Sequence, residues 1–440
     1  MARISPIQGI TYNLSKVDIN NVIAPPYDVI SDQEQDELYN LSPNNIVRLI
    51  LGKQSSLDNE DNNRYTRAAK SYKEWLHNDI LVKAEKPCIY YYIQDYTTSK
   101  GKRISRKGFI AKNYLEEYST KGILPHEYTM GGPKEDRLKL MKTCKANFSQ
   151  IFMLYSDPEQ EIDKAFELPE TPFIDVTDKQ GIRNIVYIID NEDTINTVEK
   201  LMQNKSLLIA DGHHRYETAL AYRDYIRSNN PDYKEDDAFN WVMCYYTNLD
   251  DENLKVYPTH RIITKETDTE KLLGKLGEYF DIAVYPFEKS NKEKVRNQFI
   301  SELEVIANNN IAFGMYLMNV NKYFSFKLRE KEAVNKILEE KQVPDVLKKL
   351  DLSVLHKLVI TDLLNISEED QIKQNGVKYI KKESEAFEAV ENNSAELVFI
   401  MATPKIQDIK DVSEAGYKMP QKSTYFYPKL VSGLVINPLN

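Results

Sequence analysis

Five consecutive residues, Asp211-Gly212-His213-His214-Arg215, bring a carboxylate, two imidazoles and a guanidinium together around one glycine. Such groups can hold an anion, take up a hard cation or move a proton. Their neighbours decide where they sit. Leu207-Leu208-Ile209-Ala210 is a short apolar run that suits a buried strand. Asp211-Gly212 is turn chemistry, because glycine accepts dihedrals that a side chain resists. From about His214 the spacing turns helical, with Ala219, Tyr222 and Ile226 on one face and Arg223 and Arg227 in later turns. Strand, glycine turn and helix together put the cluster at a helix N-terminus, where free N–H groups and the dipole favour an anion. A plainer role stands beside this one: His213 and His214 can simply satisfy backbone groups at the helix start.

Other candidates are more isolated. His126-Glu127 follows an extended Leu124-Pro125 exit and precedes Gly131-Gly132-Pro133, a flexible turn before a helix expected from Lys134. Glu127 is either a general base or a solvated loop carboxylate. Pro258-Thr259-His260-Arg261 and Lys422-Ser423-Thr424 each set a hydroxyl beside a cation, and Tyr27-Asp28 follows a rigid Pro25-Pro26 pair. Each also suits ordinary packing. His77, His126, His260 and His356 stand singly, as do Cys88, Cys144 and Cys244, and no CxxC or HExxH occurs, which argues against zinc. An oxygen-bound ion such as Mg²⁺, held by Asp211 together with phosphate oxygens, stays open. The Walker A, protein-kinase and dinucleotide glycine fingerprints are missing.

The elements that must position these residues read as an alternation of strands and helices. VIAPPYDVI (22–30) suits a strand end leaving a sheet, followed by a helix over 32–41 capped by Ser31. IVRLIL (46–51) suits a strand, and 65–78 a helix. Residues 88–97 and 107–115 form a hairpin candidate around Ser99-Lys100-Gly101-Lys102. Further strands are expected at 150–157, 184–190 and 239–249. Beyond 256–261 the texture changes to a helix at 269–280, a hairpin of 311–319 with 322–328, a long helix at 351–365, a strand at 397–403 and a helix at 408–416. The pattern predicts an α/β (α+β) protein with one domain at 1–255 and a second α+β domain at 256–440.

A length of 440 residues accommodates two such domains. With 41% hydrophobic and 28% charged residues the composition is ordinary for a globular chain. The net charge of −9 argues against a general nucleic-acid binder. Three well-separated cysteines do not make a disulfide framework, and no apolar run approaches the roughly 18 residues of a membrane span. The expectation is a soluble cytoplasmic protein. The 29 tyrosines, scattered among strands and helices, read as packing at the edge of the core.

Several stretches together carry a resemblance. VIAPPYDVIS, LPHEYT with GGPKEDR, ADGHHRYETA (210–219), PTHR, LDLSVLH and MPQKSTYFYPKLVSGLVI, running in this order from about residue 22 to 438, resemble the bacterial and archaeal family called domain of unknown function 1015. That family is similar in its DGHHR core to the ParB/sulfiredoxin superfamily, which includes free-serine kinases. The resemblance implies a ParB/sulfiredoxin-like mixed-sheet core in which Gly212, His213, His214 and Arg215 cradle nucleotide phosphate. It places Asp211 near Mg²⁺ and makes Asp211 and His213 catalytic candidates. Glu127 of PHEY matches the glutamate that serves those kinases as base. The implied activity is Mg²⁺-dependent phosphoryl transfer from ADP or ATP to a small hydroxylated metabolite such as free L-serine. The alternative is a nucleotide-binding regulator or ParB-like protein without turnover. The part beyond 255 has three open roles: a lid, a homodimer surface or a substrate pocket.

Overall fold

A computed structural model describes residues 2–98, 101–129, 131–420 and 422–439. The expected turn residues Ser99 and Lys100 lie outside the described residues. The chain is a mixed α/β protein that divides into two compact units. The first comprises Met1–Pro125, Thr129–Lys255 and Pro428–Asn440, and the second His126–Tyr128 and Val256–Tyr427. Two segments therefore depart from a division at residue 255. Pro428–Asn440 returns to the first unit because its backbone pairs there: Ser432 bridges Ala24, Ile436 bridges Ile10, and Asn437–Pro438 pairs with Ala146–Asn147. Long-range pairings of this kind leave no local pattern.

The first unit is built on a nine-stranded mixed sheet. Its order is 123–124, 207–211, 151–155, 241–248, 103–114, 89–97, 183–189, 174–177, with 4–5 joining 103–114. The pairs 207–211 with 123–124 and 241–248 with 151–155 are parallel, and the others are antiparallel. Strand Trp241–Asn248 is buried at every position, as its unbroken apolar and aromatic run predicts. Helices Glu192–Met202 and His213–Asn229 pack on one face, contributing Val198, Met202, Tyr216, Ala219 and Tyr222 to a core with Phe109, Met153 and Tyr246. A second core gathers Leu38, Val47, Ile50, Ala68, Tyr72 and Trp75 from the N-terminal helices.

Several local expectations change. Residues 46–51 are not a strand, since Val47–Ile50 is a helical turn. Asn45 starts it: its Oδ1 accepts from the Val47 N–H at 2.9 Å, while its amide donates to the Asn21 and Ile23 carbonyls. A short apolar run buried all round has no period to separate the two states. VIAPPYDVI likewise contributes only the Ala24–Ser432 bridge and a 3₁₀ turn at Tyr27–Val29. The Gly131-Gly132-Pro133 stretch is the first turn of helix Gly131–Cys144. Proline fits there because its missing N–H would have had no partner within the helix. By contrast, Ser31 caps helix Asp32–Leu41 as expected, accepting from the Glu34 N–H at 3.2 Å. Strands 89–97 and 103–114 pair antiparallel.

The second unit holds a six-stranded sheet in the order 280–286, 322–328, 312–317, 397–401, 260–263, 377–380, every pairing antiparallel. One face is covered by helices 269–279, 331–340 and 351–363, the other by 292–307 and 383–391. The expected helix over 351–365 begins as an α turn at Asp351–Val354 and continues as a π-helix over Leu355–Leu363.

Candidate functional site

Strand Leu207–Asp211 runs into the turn through an irregularity. Ile209 pairs with Met153, yet Asp211, two residues on, pairs with Phe152, only one residue back, so Ala210 is the extra residue of a bulge. Bulges re-aim the side chain that follows them, and here that side chain is Asp211. Gly212 then takes φ +94°, the left-handed region that favours glycine, and helix His213–Asn229 starts immediately. A Cβ on Gly212 would lie 2.9 Å from Arg215 Nε, so the guanidinium folds back over the glycine.

Arg215 makes two directed contacts from that position. Its Nη1 donates to the Gln150 carbonyl at 2.5 Å and its Nη2 to Asp211 Oδ2 at 2.8 Å. The other carboxylate oxygen, Oδ1, accepts from Lys429 Nζ. Side-chain exposures of 20%, 13% and 14% for Asp211, Arg215 and Lys429 mark the cluster as largely withdrawn from water. Loss of solvent alone would raise the Asp211 carboxyl. Lys429 first and Arg215 second outweigh it and hold the group well below the usual carboxylate range. Asp211 is therefore a fixed anion near neutrality and a poor proton acceptor. One negative charge faces two positive ones, so the turn keeps a positive excess at the N-terminus of the helix, the positive end of its dipole.

The segment that delivers Lys429 is tied at several points. Gln94 Nε2 donates to the Lys429 carbonyl at 3.1 Å, and Gln150 Nε2 to the Val431 carbonyl at 3.1 Å. Ser149 and Ser432 share a 3.0 Å hydroxyl contact, and Ser432 exchanges backbone bonds with Ala24. Gln150 thus holds both Arg215 and the 429–432 segment. Behind them Arg137 lies 4.0 Å over the ring of Tyr27 and donates to the Ile50 carbonyl, while Asp136 pairs with Arg137 and Arg64. Glu217, one turn along the helix from His213, receives Thr129 Oγ1 at 2.6 Å and Lys134 Nζ at 2.9 Å. Four separated motifs, VIAPPYD, GGPKEDR, DGHHRYETA and PKLVSG, accordingly meet in the first unit.

The predicted residues fare differently. Gly212 and Arg215 form the turn, His213 is 4% exposed, and His214 is half-buried beside it. Glu127 belongs to the second unit, where its Oε1 accepts from the Lys422 N–H at 3.3 Å. In that unit His126 Nε2 meets Thr424 Oγ1 at 2.9 Å, and buried Arg261 donates to His356 Nε2 at 3.1 Å and to the Lys422 carbonyl at 3.1 Å. Two of the histidines that stand singly in the sequence, His126 and His356, are thus hydrogen-bonded within this unit. Divalent-metal ligation by Asp211 does not fit the geometry, because each carboxylate oxygen is taken by a cation. Among the described residues no group of three or more His, Cys, Asp or Glu side chains is arranged to hold a metal ion. Lys429 and Gln150 were not singled out from the sequence. The only signal for Lys429 was its place inside the MPQKSTYFYPKLVSGLVI stretch.

No curated protein sequence matches the chain. Among solved structures it is similar to a free serine kinase in complex with AMP, at 14% identity and TM-score 0.32, covering 72% of this chain and 86% of that one. It is also similar to a conserved hypothetical protein from Pyrococcus furiosus, at 16% identity and TM-score 0.31, with coverages of 72% and 90%. SbnI with a C-terminal truncation from Staphylococcus aureus gives 10% identity and TM-score 0.35, with coverages of 75% and 87%. Overlaps this weak do not decide what the chain binds or does. The family match does establish membership: over residues 4–353 the chain belongs to DUF1015, described as a protein of unknown function.

Proposed function

We propose that the turn Gly212–Arg215 binds the phosphates of ADP or ATP and that the protein transfers a phosphoryl group to a small hydroxylated metabolite, with free L-serine the first candidate. The observation that carries this reading is the convergence of Arg215 and Lys429 on Asp211 at a glycine-headed helix N-terminus. Phosphoryl transfer asks a protein mainly for positioning and charge, and this cluster supplies both. Asp211 orients the two cations. Phosphate oxygens take the helix N–H groups and compete with Asp211 for Lys429. The resemblance of the DGHHR core to that of the ParB/sulfiredoxin-like superfamily supports the same reading.

In the proposed step the acceptor's hydroxyl oxygen forms a bond to the terminal phosphorus, and the bond from that phosphorus to the nucleotide's bridging oxygen breaks. The hydroxyl proton passes to a carboxylate, for which Glu127 is the candidate. His213 is the candidate for steadying phosphate from within the helix start. No step is routed through Mg²⁺, since both carboxylate oxygens of Asp211 are engaged by cations.

A second reading is nucleotide binding without turnover. Incubating the full chain with ADP or ATP, Mg²⁺ salts and a panel of hydroxyl-bearing metabolites separates the two. Phosphorylated product by mass spectrometry supports transfer. Saturable nucleotide binding with no product from any acceptor supports the regulator, and no binding at all sinks both.

A further inference from the structure

One cleft in the first unit adjoins the Asp211 cluster and shares Lys429 with it. Its volume is about 250 Å³, and Lys429 lines it together with Ala24, Pro25, Pro26, Leu41 and Val431. The exposed surface of the walls is mostly apolar, while Asn20, Asn21, Glu34, Asp178, Lys179 and Gln180 place polar and charged groups around it. Ligand clefts commonly combine apolar walls with a few polar groups that set orientation. The two prolines matter here. Having no N–H, they line an open space without leaving a donor unsatisfied, and their fixed φ keeps the wall rigid. The Ala24–Ser432 bridge ties the proline segment to the 429–432 segment, which the Gln150 bond to the Val431 carbonyl also holds.

Lys429 joins the cleft to the anion site. Its stem borders the apolar space while its ammonium ends on Asp211. A ligand matching this arrangement has an uncharged body with both apolar faces and hydrogen-bonding groups, and is anionic at one end. We infer that the cleft receives the base and sugar of the nucleotide whose phosphate lies at Gly212–Arg215. This inference rests on the nucleotide reading above and adds where the uncharged part of the molecule goes and which residues select it.

Leu41 makes the test practical. It is the last residue of helix Asp32–Leu41 and is 39% exposed, so a larger side chain there fills the cleft without entering the core. The full chain and its Leu41→Trp variant are titrated with ADP, with inorganic pyrophosphate and with L-serine, and folding is checked by circular dichroism. The expected result is ADP binding about tenfold or more weaker in Leu41→Trp, with pyrophosphate binding unchanged. Unchanged ADP binding, or equal losses for ADP and pyrophosphate, overturns the assignment. Loss confined to L-serine gives the cleft to the acceptor instead and also overturns it. If the unsubstituted chain binds neither ADP nor pyrophosphate, the nucleotide reading itself has failed. Should Leu41→Trp misfold, Leu41→Glu repeats the test, with repulsion of the nucleotide in place of blockage.

Discussion

Lys429 Nζ donates to Asp211 Oδ1 across 218 residues of sequence, joining the segment that returns to the first unit to the turn that heads helix His213–Asn229. With Arg215 on the other carboxylate oxygen, Asp211 is the point where two distant parts of the chain are brought into register.

Replacing Lys429 with Met keeps the length of the side chain and removes its charge. Asp211, only 20% exposed, would then be balanced by Arg215 alone. Leaving a largely buried group without one of its partners costs about 2 kcal/mol. Urea unfolding should show that loss, and affinity for ADP should fall at the same time. A Lys429→Met protein with unchanged stability would mean the pair contributes nothing.

Gly212→Ala addresses the turn itself. An alanine at φ +94° costs about 1–2 kcal/mol, and its Cβ would displace the Arg215 guanidinium. Thermal unfolding should drop while helix content survives, and phosphate-dependent binding should weaken more than stability accounts for.

The second unit carries its own pH signature. Loss of solvent pushes the Asp351 carboxyl up to about 6, against the opposing pull of the Leu352 N–H and of Arg261. Between the ordinary value of 3.8 and about 6 the folded protein keeps a proton that the unfolded chain has released. Stability should therefore fall as pH rises through that window and stay level above it. Asp351→Asn should flatten the slope in urea titrations. An identical slope in the variant would show that Asp351 is not its source.

Glu127→Gln separates binding from transfer. As the proposed proton acceptor, Glu127 should leave ADP affinity unchanged when substituted, while product formation drops by about 100-fold. Equal product from both proteins would remove Glu127 from the reaction.

The strand–glycine–helix element at 207–229 could be read from the sequence because its pattern is local: an apolar run, a glycine, then a helical period. The 89–97 and 103–114 hairpin and the Ser31 cap were accessible for the same reason. Lys429 was not, since nothing around it marks a return across 218 residues to Asp211. Val47–Ile50 failed as a strand because its start depends on Asn45 reaching the Asn21 and Ile23 carbonyls, a tertiary contact. The chemistry of Asp211 was clear from residue type, and Arg215 stands in the same motif, but Lys429, the larger of the two influences that hold it as an anion, comes from a segment 218 residues on.

The most direct measurement is a calorimetric titration of ADP into the full chain and into Arg215→Gln, with both shown to be folded by circular dichroism. The account predicts saturable binding by the unsubstituted protein, lost in the variant, because Arg215 is the guanidinium folded over Gly212 at the helix start. Equal affinity in the two proteins, or no binding by the unsubstituted chain, would contradict it.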